Sequence, residues 1–311
     1  MNRVLKHLGS RYPIIQSPMG WIARSQLASA VCNAGGFGII ETSSGEVDAV
    51  QAEIRAMHEL TDQPFGVNLP LMLLGDDTMV DYCVEHGVGF VTTSAGNPAK
   101  YIHRLKDAGI TVYHSVATLK AALKSIDAGV DGLIVEGNEG GGFKNPDPVS
   151  TMLLLRAIRM HSGIPMVAAG GIADGFAMAA AFAAGAEAIQ MGTRFVASSE
   201  SPVHDNYKQA IVDAGDTDSW VVNELSKPLV RALKTGYSAR VKAEGQMSGA
   251  GMADVKRVYF EGDMEACIAL SGQSSATINR VEPAAVIIER IVEEFFQAQQ
   301  AAAERSAKRC F

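Results

Sequence analysis

The stretch Met166-Val-Ala-Ala-Gly-Gly-Ile-Ala-Asp174, followed by Ala188-Ile-Gln-Met-Gly-Thr-Arg194, decides how this chain is read. Each segment opens with a mostly apolar run, turns on glycine and enters a helical start. Runs that are apolar along their length belong to parallel strands, covered by helices on one face and by a barrel interior on the other. Adjacent glycines let backbone N–H groups approach an anion closely, and a helix N-terminus adds roughly half a positive charge. Together the two segments have the form of the phosphate cradle that barrels build after their last two strands.

The same grammar recurs toward the N-terminus. Strands are expected at residues 13–19, 37–41, 65–71, 90–94, 111–116, 132–136, 166–170 and 188–192. The intervening helical stretches close on Gly35, Gly87, Gly109, Gly129, Gly163 and Gly185, where the chain needs positive φ to turn back. Eight such units predict an α/β fold, a (β/α)8 TIM barrel, with an open doubly wound sheet as the structural alternative. The barrel is assigned residues 1–199. Residues 200–260 read as a small, mostly helical cap, with helices at 206–214 and 228–242 and a looser Gly/Met segment at 245–252. Residues 261–311 return to the barrel. They end in an amphipathic helix from about Pro283, with Val286, Ile287, Ile291, Phe295 and Phe296 at helical spacing, expected to pack on the barrel before the last residues fray.

The 311 residues are 47% hydrophobic and 20% charged, a globular composition that excludes disorder and coiled coil. The net charge of −7, with no basic stripe, excludes nucleic acid as the expected partner. Cys32, Cys83, Cys267 and Cys310 are far apart and lack C-x-x-C spacing, which points to a reducing cytoplasm and no metal site. The chain opens Met1-Asn2-Arg3 without an export signal, and its longest uncharged apolar run, around 177–186, is short of the ~18 residues of a membrane span. A soluble, cytoplasmic protein acting on a small molecule is expected, with a homodimer as the assembly to test.

No Gly-x-Gly-x-x-Gly follows the first strand and no Walker loop is present, so the phosphate belongs to a mononucleotide such as FMN or to a phosphorylated substrate. Gln16-Ser-Pro-Met-Gly20 supplies small residues and a flexible Met against which a flat ring can pack. Asn68 and Thr92-Thr-Ser-Ala-Gly-Asn97 add amides and hydroxyls, which suit flavin carbonyls and ring nitrogens better than a sugar phosphate alone. His114, beside Ser115 at the end of the fifth strand, is a candidate catalytic group, and Lys144 a candidate for meeting an anionic substrate. His7, His58, His86, His103 and His161 fall on expected helices or their ends and are given surface positions. His204 is kept as a further candidate because it follows 191–194 closely.

The set Pro13-Ile-Ile-Gln-Ser-Pro-Met, Pro64-Phe-Gly-Val-Asn68, Thr93-Ser-Ala-Gly-Asn-Pro98, Glu136-Gly-Asn-Glu-Gly-Gly-Gly142, Ala169-Gly-Gly-Ile-Ala-Asp-Gly175 and Met191-Gly-Thr-Arg-Phe195, with the late Ser271-Gly-Gln273, resembles the nitronate monooxygenase (2-nitropropane dioxygenase) family, which includes FMN-dependent enoyl-acyl-carrier-protein reductase II. The resemblance implies a TIM barrel binding FMN, with a small second domain over the flavin. By motif, Gly170, Gly171, Gly192 and Thr193 would hold the FMN phosphate, and Gln16, Met19, Gly20 and Asn68 would line the isoalloxazine. Gln190, Gln273, Ser115, Glu136, Gly141 and Gly142 would lie around the cofactor. Members of the family usually carry a histidine after the strand-6 glycines as a proton handler; this chain has Gly141-Gly-Phe-Lys144, so Phe143 stands at that catalytic position. Phenylalanine cannot transfer a proton, which weakens deprotonation of a neutral nitroalkane but leaves oxidation of an anionic nitronate by O2 feasible. The implied activity is electron or hydride exchange between FMN and a small organic substrate. The alternatives are NADH- or NADPH-driven reduction of an enoyl thioester or quinone, and a barrel that binds a phosphorylated metabolite without redox chemistry.

Overall fold

A computed structural model describes residues 2–247 and 251–307. Eight strands run parallel: β1 (Ile14–Gln16), β2 (Ile39–Ile40), β3 (Gly66–Pro70), β4 (Phe90–Ser94), β5 (Thr111–Val116), β6 (Gly132–Glu136), β8 (Met166–Ala169) and β9 (Ala188–Met191). Three more, β7 (Gly142–Lys144), β10 (Ser219–Val222) and β11 (Leu229–Leu233), form a separate antiparallel sheet in the order β10-β11-β7. The parallel sheet runs β1-β9-β8-β6-β5-β4-β3-β2, and a parallel bridge between Ile15 and Phe37 joins its ends. Gln16 N–H donates to Phe37 O and Phe37 N–H to Ile14 O, both at 2.9 Å. The sheet is therefore closed, and the fold is a (β/α)8 barrel.

β1 and β2 are shorter than the expected 13–19 and 37–41. On β1 the cause is visible: Ser17 N–H still reaches Met191 O at 2.9 Å, but Pro18 has no N–H with which to extend the ladder. Of the punctuating glycines, Gly163 does not adopt positive φ. Its turn closes instead through His161 and Ser162 N–H donating to Ile158 O, each at 2.9 Å.

Alternation along the strands sorts the side chains into two cores. Ile15, Phe37, Ile39, Phe90, Tyr113, Ile134, Val167 and Ala188 fill the barrel lumen, and Val4 and Leu8 of the helix Arg3–Leu8 close its lower end. The larger core lies between strands and helices, where Val91, Val112, Leu133 and Ile189 point outward. The C-terminal helix Ala284–Ala307 docks through Ala284, Ile287, Ile288 and Ile291, and lies so close to the helix Gly175–Ala183 that a Cβ on Gly175 would sit 2.3 Å from Ile291 O. The expected docking face is thus shifted in phase: Val286 and Phe296 face outward. Residues 308–311, with Cys310 and the expected fraying end, lie outside the described residues, as do 248–250 of the expected 245–252 segment.

The cap contains helices Asp205–Val212, Gly236–Glu244 and Met252–Lys256. The helix expected at 228–242 is two elements. Leu229–Leu233 is a strand, paired with β10 on one side and β7 on the other. The helix starts only at Gly236, because Thr235 and Ser238 cap each other reciprocally, Ser238 N–H to Thr235 Oγ1 at 3.1 Å and Thr235 N–H to Ser238 Oγ at 2.9 Å. Among the described residues no helix is long and apolar enough to cross a membrane.

Candidate active site

The upper ends of the strands carry a polar layer above the apolar lumen. Because Gly66, Phe90 and Tyr113 face the axis, so do Asn68, Thr92 and Ser115 two residues on, and Glu136 and Gln190 follow Ile134 and Ala188 on the same face. Asn68 Nδ2 donates to Thr92 Oγ1 at 3.0 Å and to Thr92 O at 3.2 Å. Gln190 Nε2 donates to Ser17 Oγ at 3.3 Å, while its Oε1 is buried without a hydrogen-bond partner.

Parity moves two expected residues off this face. Gln16 lies between the inward-facing Ile15 and Ser17, and its Nε2 donates to Ser17 O and, at 3.2 Å, to Ile39 O. Its amide is spent on the barrel seam and does not line the mouth. His114 lies between the inward-facing Tyr113 and Ser115, so its imidazole faces the helical layer, with Nδ1 2.7 Å from Thr93 Oγ1. Burial there pushes its pKa down to about 4. An imidazole so placed faces the helices and not the strand-end cleft.

The glycine motifs converge. Gly170 and Gly171 both have positive φ, +90° and +75°. A Cβ on Gly170 would sit 2.9 Å from Gly140 N, so the loop after β6 rests directly on the turn after β8. Thr151 Oγ1 donates to Gly170 O at 2.9 Å, and Thr151 N–H donates to the Glu139 carboxylate at 3.1 Å. Gly272 N–H donates to Thr193 Oγ1 and Gln273 N–H to Glu139 O, each at 2.9 Å. Met19 Sδ lies 3.5 Å from where a Cβ on Gly192 would be, and Gly20 packs on Ser43. Ser271 Oγ is buried without a partner. Two orphaned polar atoms, on Gln190 and Ser271, in a mouth where Gly170 and Gly171 hold positive φ and leave no room for a Cβ, fit a flat polar cofactor with a phosphate tail.

The loop after β6 then becomes β7, whose Phe143 pairs in register with Val230 of the cap. The Phe143 ring is 65% exposed and lines a cleft with Ser115, Glu136, Asn138 and Lys144. Lys144 Nζ meets Glu136 Oε1 at 2.6 Å; the lysine side chain is 4% exposed, the glutamate 32%. His204 N-caps the cap helix Asp205–Val212 and sits under Gly262, away from this cleft. One functional neighbour had no sequence signal. Arg231 is buried on β11, donating from Nε to Asn138 O at 2.8 Å and from Nη1 to Ser219 O at 2.9 Å, which ties the β6 loop to the cap. An Arg in an apolar run that reads as helix gives no hint of its burial.

A family model described as nitronate monooxygenase matches residues 2–78 and 71–294. The chain belongs to the nitronate monooxygenase family. Its barrel, glycine turns and polar mouth are therefore those of an FMN-dependent oxidoreductase, which sets aside the non-redox alternative. Among relatives, the chain is 35% identical over 245 residues to a (3aS,4S,5R,7aS)-5-hydroxy-7a-methyl-1-oxo-octahydro-1H-indene-4-carboxyl-CoA dehydrogenase of Mycobacterium tuberculosis, covering 78% of this chain and 68% of that protein. It is 31% identical over 282 residues to a nitronate monooxygenase of Paraburkholderia phytofirmans, covering 76% and 77%. Among solved structures, FabK from Thermotoga maritima superposes with a TM-score of 0.91 at 38% identity, covering 98% of this chain and 99% of that one. A nitroalkane oxidase from Streptomyces ansochromogenes superposes at 0.84 with 28% identity, covering 96% and 99%.

Proposed function

We propose that this member of the nitronate monooxygenase family moves a hydride between FMN and an acyl thioester, with NADH or NADPH as the second redox partner. The observation that carries the reading is the cleft wall at Phe143 and Lys144. A phenyl ring accepts no proton, so at this position the wall contributes apolar surface where relatives place a histidine. An anionic nitronate is drawn by unpaired positive charge, but the Lys144 ammonium is committed to Glu136. An exposed ring beside neutralised charges suits a flat or acyl ligand instead. The carboxyl-CoA dehydrogenase likeness supports the same substrate class.

FMN, when bound, supplies reversible two-electron hydride chemistry. In this reading the main chain of Gly170, Gly171, Gly192 and Thr193 holds the phosphate. Met19, Gly20, Asn68, Gln190 and Ser271 orient the ring, Gln190 Oε1 and Ser271 Oγ gaining the partners they lack. Gly141 lets the β6 loop approach Ser271 and Gly272 closely, and Gly142 supplies the positive φ with which the loop enters β7. The barrel is taken as residues 1–199, the cap as 200–260 joined by β7, and the return as 261–311. A cytoplasmic homodimer acting on a small molecule, without nucleic acid, completes the reading.

A second reading, oxidation of an alkyl nitronate by O2, is favoured by the family match and by the nitronate's arriving already deprotonated. Anaerobic mixing of the purified yellow protein with NADH, NADPH, a 3-hydroxyacyl-CoA, an enoyl-CoA and an alkyl nitronate separates the two. Bleaching by a nicotinamide, followed by reoxidation with enoyl-CoA, or bleaching by the hydroxyacyl-CoA, is expected. Bleaching by nitronate alone overturns the thioester reading in favour of the second.

A further inference from the structure

We infer that Glu136 is the group that exchanges the substrate proton, in place of the histidine that Phe143 replaces, and that Lys144 is the positioning residue that holds its carboxylate. The inference rests on the thioester reading for its substrate and on the structure for its residues. Glu136 ends β6 on the lumen face, the face of Gly132, whose Cβ would strike the Tyr113 ring, and of Ile134 in the lumen core. Its side chain lines the cleft together with Ser115, Asn138 and Phe143. Lys144 approaches from β7 and binds Oε1 at 2.6 Å. Oε2 carries no hydrogen bond among the described residues, and it belongs to the more open partner of the pair: the glutamate is 32% exposed, the lysine 4%. The lysine is thus packed behind the carboxylate, and the carboxylate is what a ligand in the cleft meets. Gly140 makes the arrangement feasible, since a Cβ there would sit 2.7 Å from Oε1 and 3.0 Å from Nζ.

The other charged groups on these elements are committed elsewhere. Glu139 accepts from Thr151, and Arg231 donates to the Asn138 and Ser219 carbonyls. His114, the nearest histidine along the sheet, faces the helical layer. Glu136 is the ionisable oxygen left to the cleft.

In oxidation of a hydroxyacyl thioester, the hydroxyl O–H bond breaks and its proton forms a bond to Glu136. The C–H bond on the same carbon breaks, its hydride reducing the oxidised flavin by two electrons, and a C=O bond forms. In the reverse direction the protonated carboxyl returns the proton to the alkoxide oxygen as the carbonyl is reduced. A base in contact with the transferred proton is typically worth about 10²–10⁴-fold in rate.

The test uses the flavin-loaded enzyme and Glu136→Gln, which keeps shape and loses the base, with Glu136→Asp as the conservative variant and Lys144→Met for positioning. Flavin content and the dissociation constant of a non-oxidisable 3-deoxy acyl-CoA analogue, read from the flavin absorbance change, stay within twofold in Glu136→Gln. Anaerobic bleaching slows by about 10²-fold or more. Glu136→Asp recovers part of the rate, and Lys144→Met, which leaves the carboxylate present but unheld, slows bleaching while flavin content and the dissociation constant of the analogue stay within twofold. Bleaching within threefold of wild type in Glu136→Gln overturns the inference, as does loss of flavin with a normal step in the fraction still loaded. If the wild-type enzyme is bleached by no thioester, the substrate reading fails separately. The residue is then judged on nitroethane against its nitronate: slowing of nitroethane alone upholds Glu136 as base, and equal rates overturn it.

Discussion

Lowering the pH from 7 to 4.5 should cost this barrel stability through a single imidazole. His114 is buried on the helix-facing side of β5, hydrogen-bonded to Thr93 Oγ1 at 2.7 Å, and burial holds its pKa at about 4 against 6.5 when unfolded. The folded pKa is depressed, so between these values the unfolded chain binds the extra proton and stability falls as pH falls. The full window is about 2.5 pH units, or roughly 3.4 kcal/mol at 1.36 kcal/mol per unit; by pH 4.5 about 2.7 kcal/mol of it is spent. His114→Asn places an amide where Nδ1 stands, keeps a partner for Thr93 and cannot titrate. Urea unfolding of wild type and variant at pH 7 and pH 4.5, followed by circular dichroism, isolates the effect, since every other titrating group is common to both. The loss between the two pH values should be smaller in the variant by about 2–3 kcal/mol. Parallel losses in the two proteins would refute the buried, neutral imidazole and return His114 to the list of groups open to solvent or substrate.

Gly170→Ala puts a Cβ at positive φ, 2.9 Å from Gly140 N, and should cost about 2–4 kcal/mol and release flavin on gel filtration, read as the flavin-to-protein absorbance ratio. Arg231→Met leaves the Asn138 and Ser219 carbonyls without their donor and should destabilise by about 3 kcal/mol, with faster proteolytic cleavage in 137–147 as the local readout. Lys256→Ala removes a half-exposed pair with Glu46 and should change the unfolding free energy by less than about 1 kcal/mol. Phe143→His restores an imidazole at the cleft wall and should speed oxidation of neutral nitroethane at least about tenfold while leaving its nitronate unchanged; no change with either compound would show that this position does not gate proton transfer.

The barrel was legible because its signals are local. Apolar strands and glycine-closed helices repeat within short windows, so all eight parallel strands fall inside the expected segments. Gly170, Gly171, Gly192 and Thr193 could be placed because they directly follow the last two barrel strands, whereas Gln273 was named by motif resemblance alone. Face assignment was not legible on β5, where Thr111-Val-Tyr-His-Ser-Val116 is buried on both sides and no alternation reveals its parity. One residue of parity separates His114 from the cleft. The cap sheet was hidden for a different reason. β7 is three residues long and finds its partner some ninety residues later, so nothing near Phe143 in sequence announces a strand. Leu229-Val-Arg-Ala-Leu233, following a proline, has the local look of a helix start, and only its pairing on both edges makes it a strand.

The strand that β6 lends to the cap has a consequence for how such enzymes diversify. A cap joined to its barrel only through its chain ends can be exchanged between relatives as one contiguous cassette. Here the third strand of the cap sheet is encoded between 142 and 144, inside the barrel, and that same strand carries the ring and the lysine of the cleft. A graft of 200–260 alone would leave β11 with an unpaired edge and the recipient's own β6 loop facing a foreign neighbour. The heritable unit of specificity is therefore discontinuous in sequence, and the loop and the cap are free to change only as a pair.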